Sequence, residues 1–436
     1  MSAPTHPEAP LPGAIAERMR EDWNRRARED AGYYVAFGRR KQSREEFFAT
    51  AHDQVRGFER ELKRLPEAAP QSRRALEIGC GPGRLMLPLS RHFGEIHGVD
   101  ISEEMIELAR RNLAAVRNAH PRHAPNSNLE AFASDSFDFV YSYAVFQHIP
   151  DREVVTGYLK EAQRVLKPGG ILRCQINGLP EQAPQYDTWS GVRISYRDVR
   201  AFAREQGLEL LALEGIETQY MWATFRKPAA AVERAGSVRV RRITNAHSSE
   251  PAAPARGRFA ALSLWVDGLP EAADLNRLEV TIGGKPAYAS YLGQPEHDGL
   301  QQLNVYVPGG LEAGLQPVEV EVNGEAAASS FVRLIPPPPA VPRVVSLTDG
   351  IDLLSGNRIV TGSVKISLEE VYEPGQLRLR IGKAEVEVFE SFCTDPRVPS
   401  WEVNFEVPEG VEKGETDVRV ELGGRFLGTY PVEVLG

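Results

Sequence analysis

The pattern of apolar and polar positions changes period once along the chain, near residue 237. Before that point, short apolar runs alternate with stretches whose apolar residues recur every three or four positions, as strands and amphipathic helices do. Ala75-Leu76-Glu77-Ile78 runs into Gly79-Cys80-Gly81-Pro82-Gly83, after which Arg84-Leu85-Met86-Leu87 opens a helical pattern. Ile96-His97-Gly98-Val99-Asp100 predicts a second strand ending in a carboxylate. Ser102-Glu103-Glu104-Met105 predicts the N-cap and first turn of the next helix. Phe137-Asp138-Phe139-Val140-Tyr141-Ser142 predicts a central strand, and a helix over 158–166 is expected to end at Lys167-Pro168-Gly169-Gly170. The run from Ile171 to Ile176, a helix over 196–206 and strands over 208–215 and 219–225 complete the series. This order implies right-handed βαβ units around one sheet. The segment 119–128, broken by Pro121 and Pro125, reads as loop, with His120 and His123 exposed rather than ligating a metal.

Two helices precede the sheet, over 14–30 with Ile15, Met19 and Trp23 on one face, and over 43–65. Tyr33 and Tyr34 lie between them, either as core aromatics anchoring these helices or as part of a cover over a site. From residue 237 the period becomes two, with Gly, Pro and Asn at the turns. An internal repeat at an offset near 100 residues pairs 278–283 with 377–382, 303–310 with 403–410 and 318–324 with 418–424. Ile335-Pro336-Pro337-Pro338-Pro339-Ala340-Val341-Pro342 separates the copies as a stiff linker. The expected organisation is a leader over 1–12, an α/β domain over 13–235, a β-sandwich over 236–335, a linker over 336–342 and a second sandwich over 343–436.

With 436 residues, each domain is long enough to bury a core. The net charge of −9 offers no general attraction to a phosphate backbone, so nucleic acid is not an expected partner. Three scattered cysteines, Cys80, Cys174 and Cys393, form neither a disulfide framework nor a metal site. The leader lacks an apolar signal core, and no apolar run is long enough to span a membrane. The expectation is a cytoplasmic protein without a membrane partner.

The chemistry gathers where the α/β strands end. Glycines 79, 81 and 83 permit positive φ and close approach of a ligand. Asp100, at a strand end, suits the hydroxyls of an adenosine ribose. The glycine spacing differs from the G-x-G-x-x-G of nicotinamide-binding folds. His148, beyond the central strand, is the candidate base: an imidazole of near-neutral pKa takes a proton from an attacking hydroxyl or amine. Helix packing is its other reading. The insertion 177–193 carries Tyr186, Trp189 and Arg193, which either line an acceptor pocket or pin the loop to the surface.

Glycine turn, strand-end acid, Phe-Asp-x-Val strand and Leu-Lys-Pro-Gly-Gly, in this order, resemble the class I S-adenosylmethionine-dependent methyltransferases, of the type 11/25 kind, over roughly residues 15 to 230. The resemblance implies a Rossmann-like, seven-stranded α/β domain with added N-terminal helices. It implies S-adenosylmethionine as cofactor, S-adenosylhomocysteine as product, and no metal. Gly79, Cys80, Gly81 and Gly83 would hold the amino-acid part of the donor through backbone groups, with Glu77 receiving its ammonium. Ile101 and Met105 would flank the adenine, Asn126 and Ser127 would contact it, and Tyr143 would join the donor site. Tyr33 and Tyr34 would fall in the lid that such enzymes build ahead of the first strand, and Tyr186, Trp189 and Arg193 in the acceptor pocket.

The repeats resemble bacterial immunoglobulin-like domains of the IPT/TIG type, on Val280-Thr281-Ile282-Gly283-Gly284-Lys285-Pro286-Ala287 and Val307-Pro308-Gly309-Gly310-Leu311. The implied function is methyl transfer to an oxygen, nitrogen or carbon of a small molecule, the repeats serving as spacers, homodimer surfaces or recruiting arms. The alternatives are a glycan or protein acceptor recruited by the repeats, and a scaffold that binds S-adenosylmethionine for regulation. Tyr141-Ser142-Tyr143-Ala144 replaces the motif of base-amino methyltransferases, which again argues against nucleic acid.

Overall fold

The computed structural model describes residues 12–36, 40–125, 128–180, 186–229, 237–387 and 389–435. Of the expected leader, residues 1–11 therefore lie outside the described residues, as do Asn126 and Ser127 and the expected domain boundary at 235.

The first helix, α1 (Pro12–Val35), is longer than its apolar pattern predicts and breaks at Asp30, where φ is −167° and ψ 85°. The Asp30 carboxylate fixes the break by accepting from the Tyr33 amide at 3.0 Å and the Lys41 amide at 2.6 Å. The single helix expected over 43–65 is two, α2 (Arg44–Ala49) and α3 (Ala51–Leu62), meeting at Thr50. A capping box between Ser43 and Glu46 starts α2. Thr50 bonds back to the Phe47 carbonyl at 2.6 Å, and both its carbonyl and its hydroxyl accept from Arg84. That side-chain competition interrupts the helical ladder.

Strands β1 (Arg74–Ile78), β2 (Glu95–Asp100), β3 (Ala119–His123), β4 (Phe137–Ser142), β5 (Leu166–Ile176), β6 (Glu209–Glu214) and β7 (Met221–Arg226) lie in the order 3-2-1-4-5-7-6. β7 is antiparallel to both its neighbours. Between the strands run α4 (Met86–Leu89), α5 (Glu103–Asn112), α6 (Arg152–Val165) and α7 (Tyr196–Glu205). Ser102 caps α5, accepting from the Met105 amide at 3.1 Å. α4 is a single turn, which runs into a 3-10 turn over Ser90–His92.

Two segments differ from expectation. Residues 119–123 form a strand despite Pro121, because β3 is the sheet edge and a missing N–H there removes no ladder bond. His120 and His123 sit on that edge strand, and His123 Nε2 lies 3.1 Å from the Ile101 carbonyl. The Lys167-Pro168-Gly169-Gly170 run is a bulge within β5 rather than a turn before it. Phe137 pairs with Leu166 and Phe139 with Ile171, while Gly169, at φ +80°, bonds Lys227 instead.

The sheet does not stop at seven strands. Past β6 it continues through the segments Ala289–Leu292, Gln301–Tyr306, Ala261–Asp267 and Arg239–Asn245, which makes eleven strands among the described residues. Tyr291 pairs with Ala212 at the joint. One core cluster spans both parts, from Leu76 and Leu172 to Leu264 and Val320. The first β-unit is thus fused to the α/β unit, where the repeat pattern predicts a domain with its own core. The second β-unit, over 343–435, does have a separate core, with Ile366, Leu379, Val403 and Val420. The smaller sheets of the two units share one strand order, Lys285–Ala287, Leu278–Ile282, Gly314–Val322, Glu325–Ile335, Ala252–Pro254 in the first. The strands that follow the repeat in the second are Ala384–Glu385, Leu377–Ile381, Gly414–Leu422, Arg425–Val434 and Arg358–Ile359.

A row of residues in register crosses the main sheet: Gly98, Glu77, Tyr141, Arg173, Thr224 and Ala212, then Tyr291. Arg173 donates to Glu61 at 3.1 Å and Thr224 at 2.7 Å, all three buried, and to the part-exposed Glu214 at 3.3 Å. Arg60 and Arg64 of the α3 region stack over the Tyr291 ring at 4.4 and 5.1 Å. A polar seam therefore ties α3, the sheet and the first β-unit together.

Candidate active site

A cavity of about 640 Å³ opens at the carboxyl ends of β1, β2, β4 and β5, the place where ligands of open α/β sheets bind. Glu77, Gly79, Cys80, Gly81, Asp100, Ile101 and Met105 line one end. Tyr143, His148, Tyr34 and Trp189 line the rest, together with residues of the second β-unit.

The glycines are needed for backbone conformation and protein packing. All three have positive φ, at +73°, +50° and +83°. A Cβ on Gly79 would fall 2.3 Å from a methyl of Val145, and one on Gly83 2.7 Å from Leu113. Only at Gly81 is the nearest atom, on Val35, at a tolerable 3.4 Å. The amides of Gly79 and Cys80 both donate to the Val99 carbonyl, at 2.8 and 2.9 Å, and that of Gly81 to Asp100 Oδ2 at 2.8 Å. These N–H groups hold the loop to β2, so a backbone grip on a ligand here falls to the loop's carbonyls. Gly83 is a turn residue packed under α5, away from the cavity.

Asp100 accepts from Gly81 on one oxygen and from Ser102 at 2.9 Å on the other, which leaves lone pairs on both for hydroxyls in the cavity. Burial raises its pKa, and the two backbone donors oppose that shift. Glu77 is 3% exposed and accepts from the Tyr141 hydroxyl at 2.8 Å. Burial pushes its carboxyl up to about 8, against the Tyr141 hydrogen bond and the Arg84 charge. Among the described residues it has no ion-pair partner. A buried carboxyl that faces a cavity and lacks a counter-cation suits an incoming ammonium.

His148 is enclosed by aromatic rings, 5.6 Å from Trp23 and 5.7 Å from Trp189. Its Nδ1 lies 2.9 Å from the Trp189 carbonyl, which fixes the hydrogen on Nδ1 and turns the Nε2 lone pair toward the Gln147 amide at 3.3 Å. Desolvation by these neighbours lowers its pKa to about 4, well below the near-neutral value expected of a base.

Arg26, which sequence reasoning missed, organises this wall. It donates to the Thr188 carbonyl at 2.9 Å and hydroxyl at 3.1 Å, joining α1 to the insertion loop. Its guanidinium stacks over Trp23 at 4.8 Å and Trp189 at 5.4 Å. Beyond β4, Ala144 takes φ +54°, its amide held by Gln175 Oε1 at 3.2 Å.

Three expected acceptor residues stand elsewhere. Tyr33 is buried beside Arg40, with its hydroxyl pushed up to about 12, and does not line the cavity. Tyr186 packs on the main core, and Arg193 donates to the Pro180 carbonyl, closing the base of the insertion. Among the described residues no cluster suits a metal ion, no helix is long and apolar enough to cross a membrane, and the three cysteines are free.

Residues 76–174 match the family described as methyltransferase domain, which covers the glycine loop, Asp100, Tyr143 and His148. S-adenosylmethionine is the cofactor of this class of domain, and the cavity's carboxylates fit its hydroxyl and ammonium groups. Demethylmenaquinone methyltransferases of Staphylococcus saprophyticus and Staphylococcus aureus strain JH9 are each 36% identical to this chain over 110 residues. That is 24% of this chain and 46% and 44% of theirs, so the chain matches less than half the length of these curated relatives. Geranyl diphosphate C-methyltransferase from Streptomyces coelicolor A3(2) superposes with a TM-score of 0.35 at 17% identity, over 51% of this chain and all of that one. The YcgJ protein of Bacillus subtilis gives 0.32 at 23% identity, over 37% of this chain and 71% of its own.

Proposed function

We propose that the chain is an S-adenosylmethionine-dependent methyltransferase acting on an oxygen, nitrogen or carbon nucleophile of a small molecule. The observation that carries this reading is one cavity, with Asp100 and the Glu77 carboxyl at one end and His148 among aromatic rings further along. Its volume lies in the range of ~300–1,000 Å³ typical of small-molecule sites, which favours a small acceptor over an extended polymer. The relatives' name, demethylmenaquinone methyltransferase, also puts a small molecule among the acceptors of such domains.

When bound, S-adenosylmethionine supplies a methyl group made electrophilic by its sulfonium. The protein's residues align and shield. Asp100 accepts from the ribose hydroxyls and Glu77 holds the ammonium, while Ile101 and Met105 give an apolar bed. Tyr34, Trp23 and Trp189 exclude water from the far side. His148 offers the acceptor's proton its neutral Nε2 lone pair in exchange for the long 3.3 Å contact from the Gln147 amide. Its low basicity suits it to orient a hydroxyl or amine and to take the proton late, as the acceptor becomes acidic during attack.

Labelled S-adenosylmethionine incubated with fractionated bacterial lysate tests the reading. Label in the small-molecule fraction, lost in Asp100→Ala, is the expected result. Label on protein, or donor binding without any transfer, would overturn it.

A further inference from the structure

The wall of the cavity opposite the glycine loop belongs to the second β-unit. Strands Ser363–Glu369, Ser400–Glu406 and Glu390–Asp395 lie side by side, with Lys365 paired to Asn404 and Asn404 to Glu390. Two residues along, Glu402 pairs with Phe392. Alternation puts Val364, Ile366, Val403 and Phe405 into the unit's core and turns this polar row outward. Outward here means into the cavity, which Lys365, Glu390, Phe392, Glu402 and Asn404 all line. The wall is held in place by Arg258 to Glu369 at 2.8 Å and by Arg397 stacked 4.6 Å from the Tyr306 ring.

The first β-unit provides an internal comparison. In the same register, Ser263 pairs with Asn304 and Trp265 with Gln302. There the polar groups close on one another: Ser263 donates to Asn304 at 2.8 Å, and Gln302 donates to Ser263 at 3.1 Å and Asn304 at 2.9 Å. In the second unit the corresponding triad is Lys365, Asn404 and Glu402. Lys365 and Glu402 pair at 2.6 Å, while among the described residues the Asn404 amide and the Glu390 carboxylate bond no side chain or backbone group. The copy that faces the cavity thus keeps its hydrogen-bonding groups open.

We propose that this row is the acceptor-binding half of the site, and that it takes an uncharged, hydroxyl-rich group such as a sugar ring. The inference rests on the methyltransferase reading above and names its acceptor class. Hydroxyls donate and accept at once, which matches a row holding an ammonium, an amide and two carboxylates. With one cation against two anions, the row disfavours a phosphate or carboxylate. Phe392 and Tyr220 add apolar faces for the ring's C–H surface.

The test uses the full chain saturated with S-adenosylhomocysteine and saturation-transfer NMR. The probes are methyl glucoside, methyl mannoside and myo-inositol, with glucose phosphate and glucosamine as charged counterparts. The expected result is transfer to at least one neutral probe, weakened about tenfold in Asn404→Ala and in Glu390→Gln, the loss of one hydrogen bond. S-adenosylhomocysteine affinity by calorimetry and the melting temperature should stay unchanged in both variants. Equal transfer in wild type and variants, transfer to the charged probes alone, or none at all would overturn the proposal. Absence of S-adenosylhomocysteine binding by the wild-type chain would instead remove the methyltransferase reading, and this one with it.

Discussion

Tyr141 donates its phenolic hydrogen to Glu77 Oε2 at 2.8 Å, from the position directly opposite it on β4. The pair stands at the floor of the cavity, with Glu77 pushed up to about 8 from an ordinary 4.5. Between those values the unfolded chain loses the proton and the folded one keeps it. The stability that Glu77 contributes is therefore fully present below pH ~4.5 and is lost as pH rises through ~8. Glu77→Gln removes this slope, so in urea unfolding the variant should gain on the wild type progressively from pH 5 to pH 9. A parallel pH dependence in both proteins would contradict the shifted carboxyl.

Donor binding should reverse that protonation. An ammonium beside Glu77 favours the carboxylate, so S-adenosylhomocysteine binding at pH 7 should release close to one proton, read as a buffer-dependent calorimetric enthalpy. Glu77→Gln should abolish the dependence and weaken binding by ~1.5–3 kcal/mol.

Asp100 has two duties, holding Gly81 and Ser102 and facing the cavity. Asp100→Ala should lower donor affinity by ~1–3 kcal/mol. It should also speed hydrogen exchange at the Gly81 and Ser102 amides in the ligand-free protein. Affinity within twofold of wild type would remove Asp100 from the donor site.

His148, lowered to about 4, stays neutral through the working range. The kcat profile should then show no limb from this residue between pH 5 and 8. Its folded pKa is depressed, so the stability linked to the neutral ring is present above pH ~6.5 and is lost as pH falls through ~4. His148→Ala should reduce kcat more than donor affinity. Equal losses would assign the ring to packing.

The joint at Tyr291 and Ala212 predicts how the chain unfolds. Arg173→Ala leaves Glu61 with Arg60 alone, and should cost ~3 kcal/mol in the transition of residues 12–335. A chain ending at 335 should retain that transition. One ending at 229 should lose it, because Leu210, Ala212 and Leu213 would then face water. A stable product ending at 229 would show that the two parts fold independently.

Local physics made much of this protein legible in its sequence. The strand–glycine–helix order, the strand-end Asp100, the Ser102 cap and the repeat offset all follow from side-chain period and from glycine's access to positive φ, which short segments express by themselves. The same locality explains the misreadings. Pro121 signals a loop until one knows that β3 lies at an edge, and Lys167-Pro168-Gly169-Gly170 signals a turn until β4 holds it as a bulge. Arg26, Gln175 and the polar row of the second β-unit left no local signal, because their roles depend on partners 30 to more than 160 residues away. Residue types and periods thus determined the elements and the place of Glu77 and Asp100 at the strand ends that line the cavity. Only the packing of units decided that the sheet runs on into the first β-unit, that His148 is too desolvated to be an ordinary base, and that the second β-unit closes the site. Burial and long-range contact set those properties, and neither is a property of a segment.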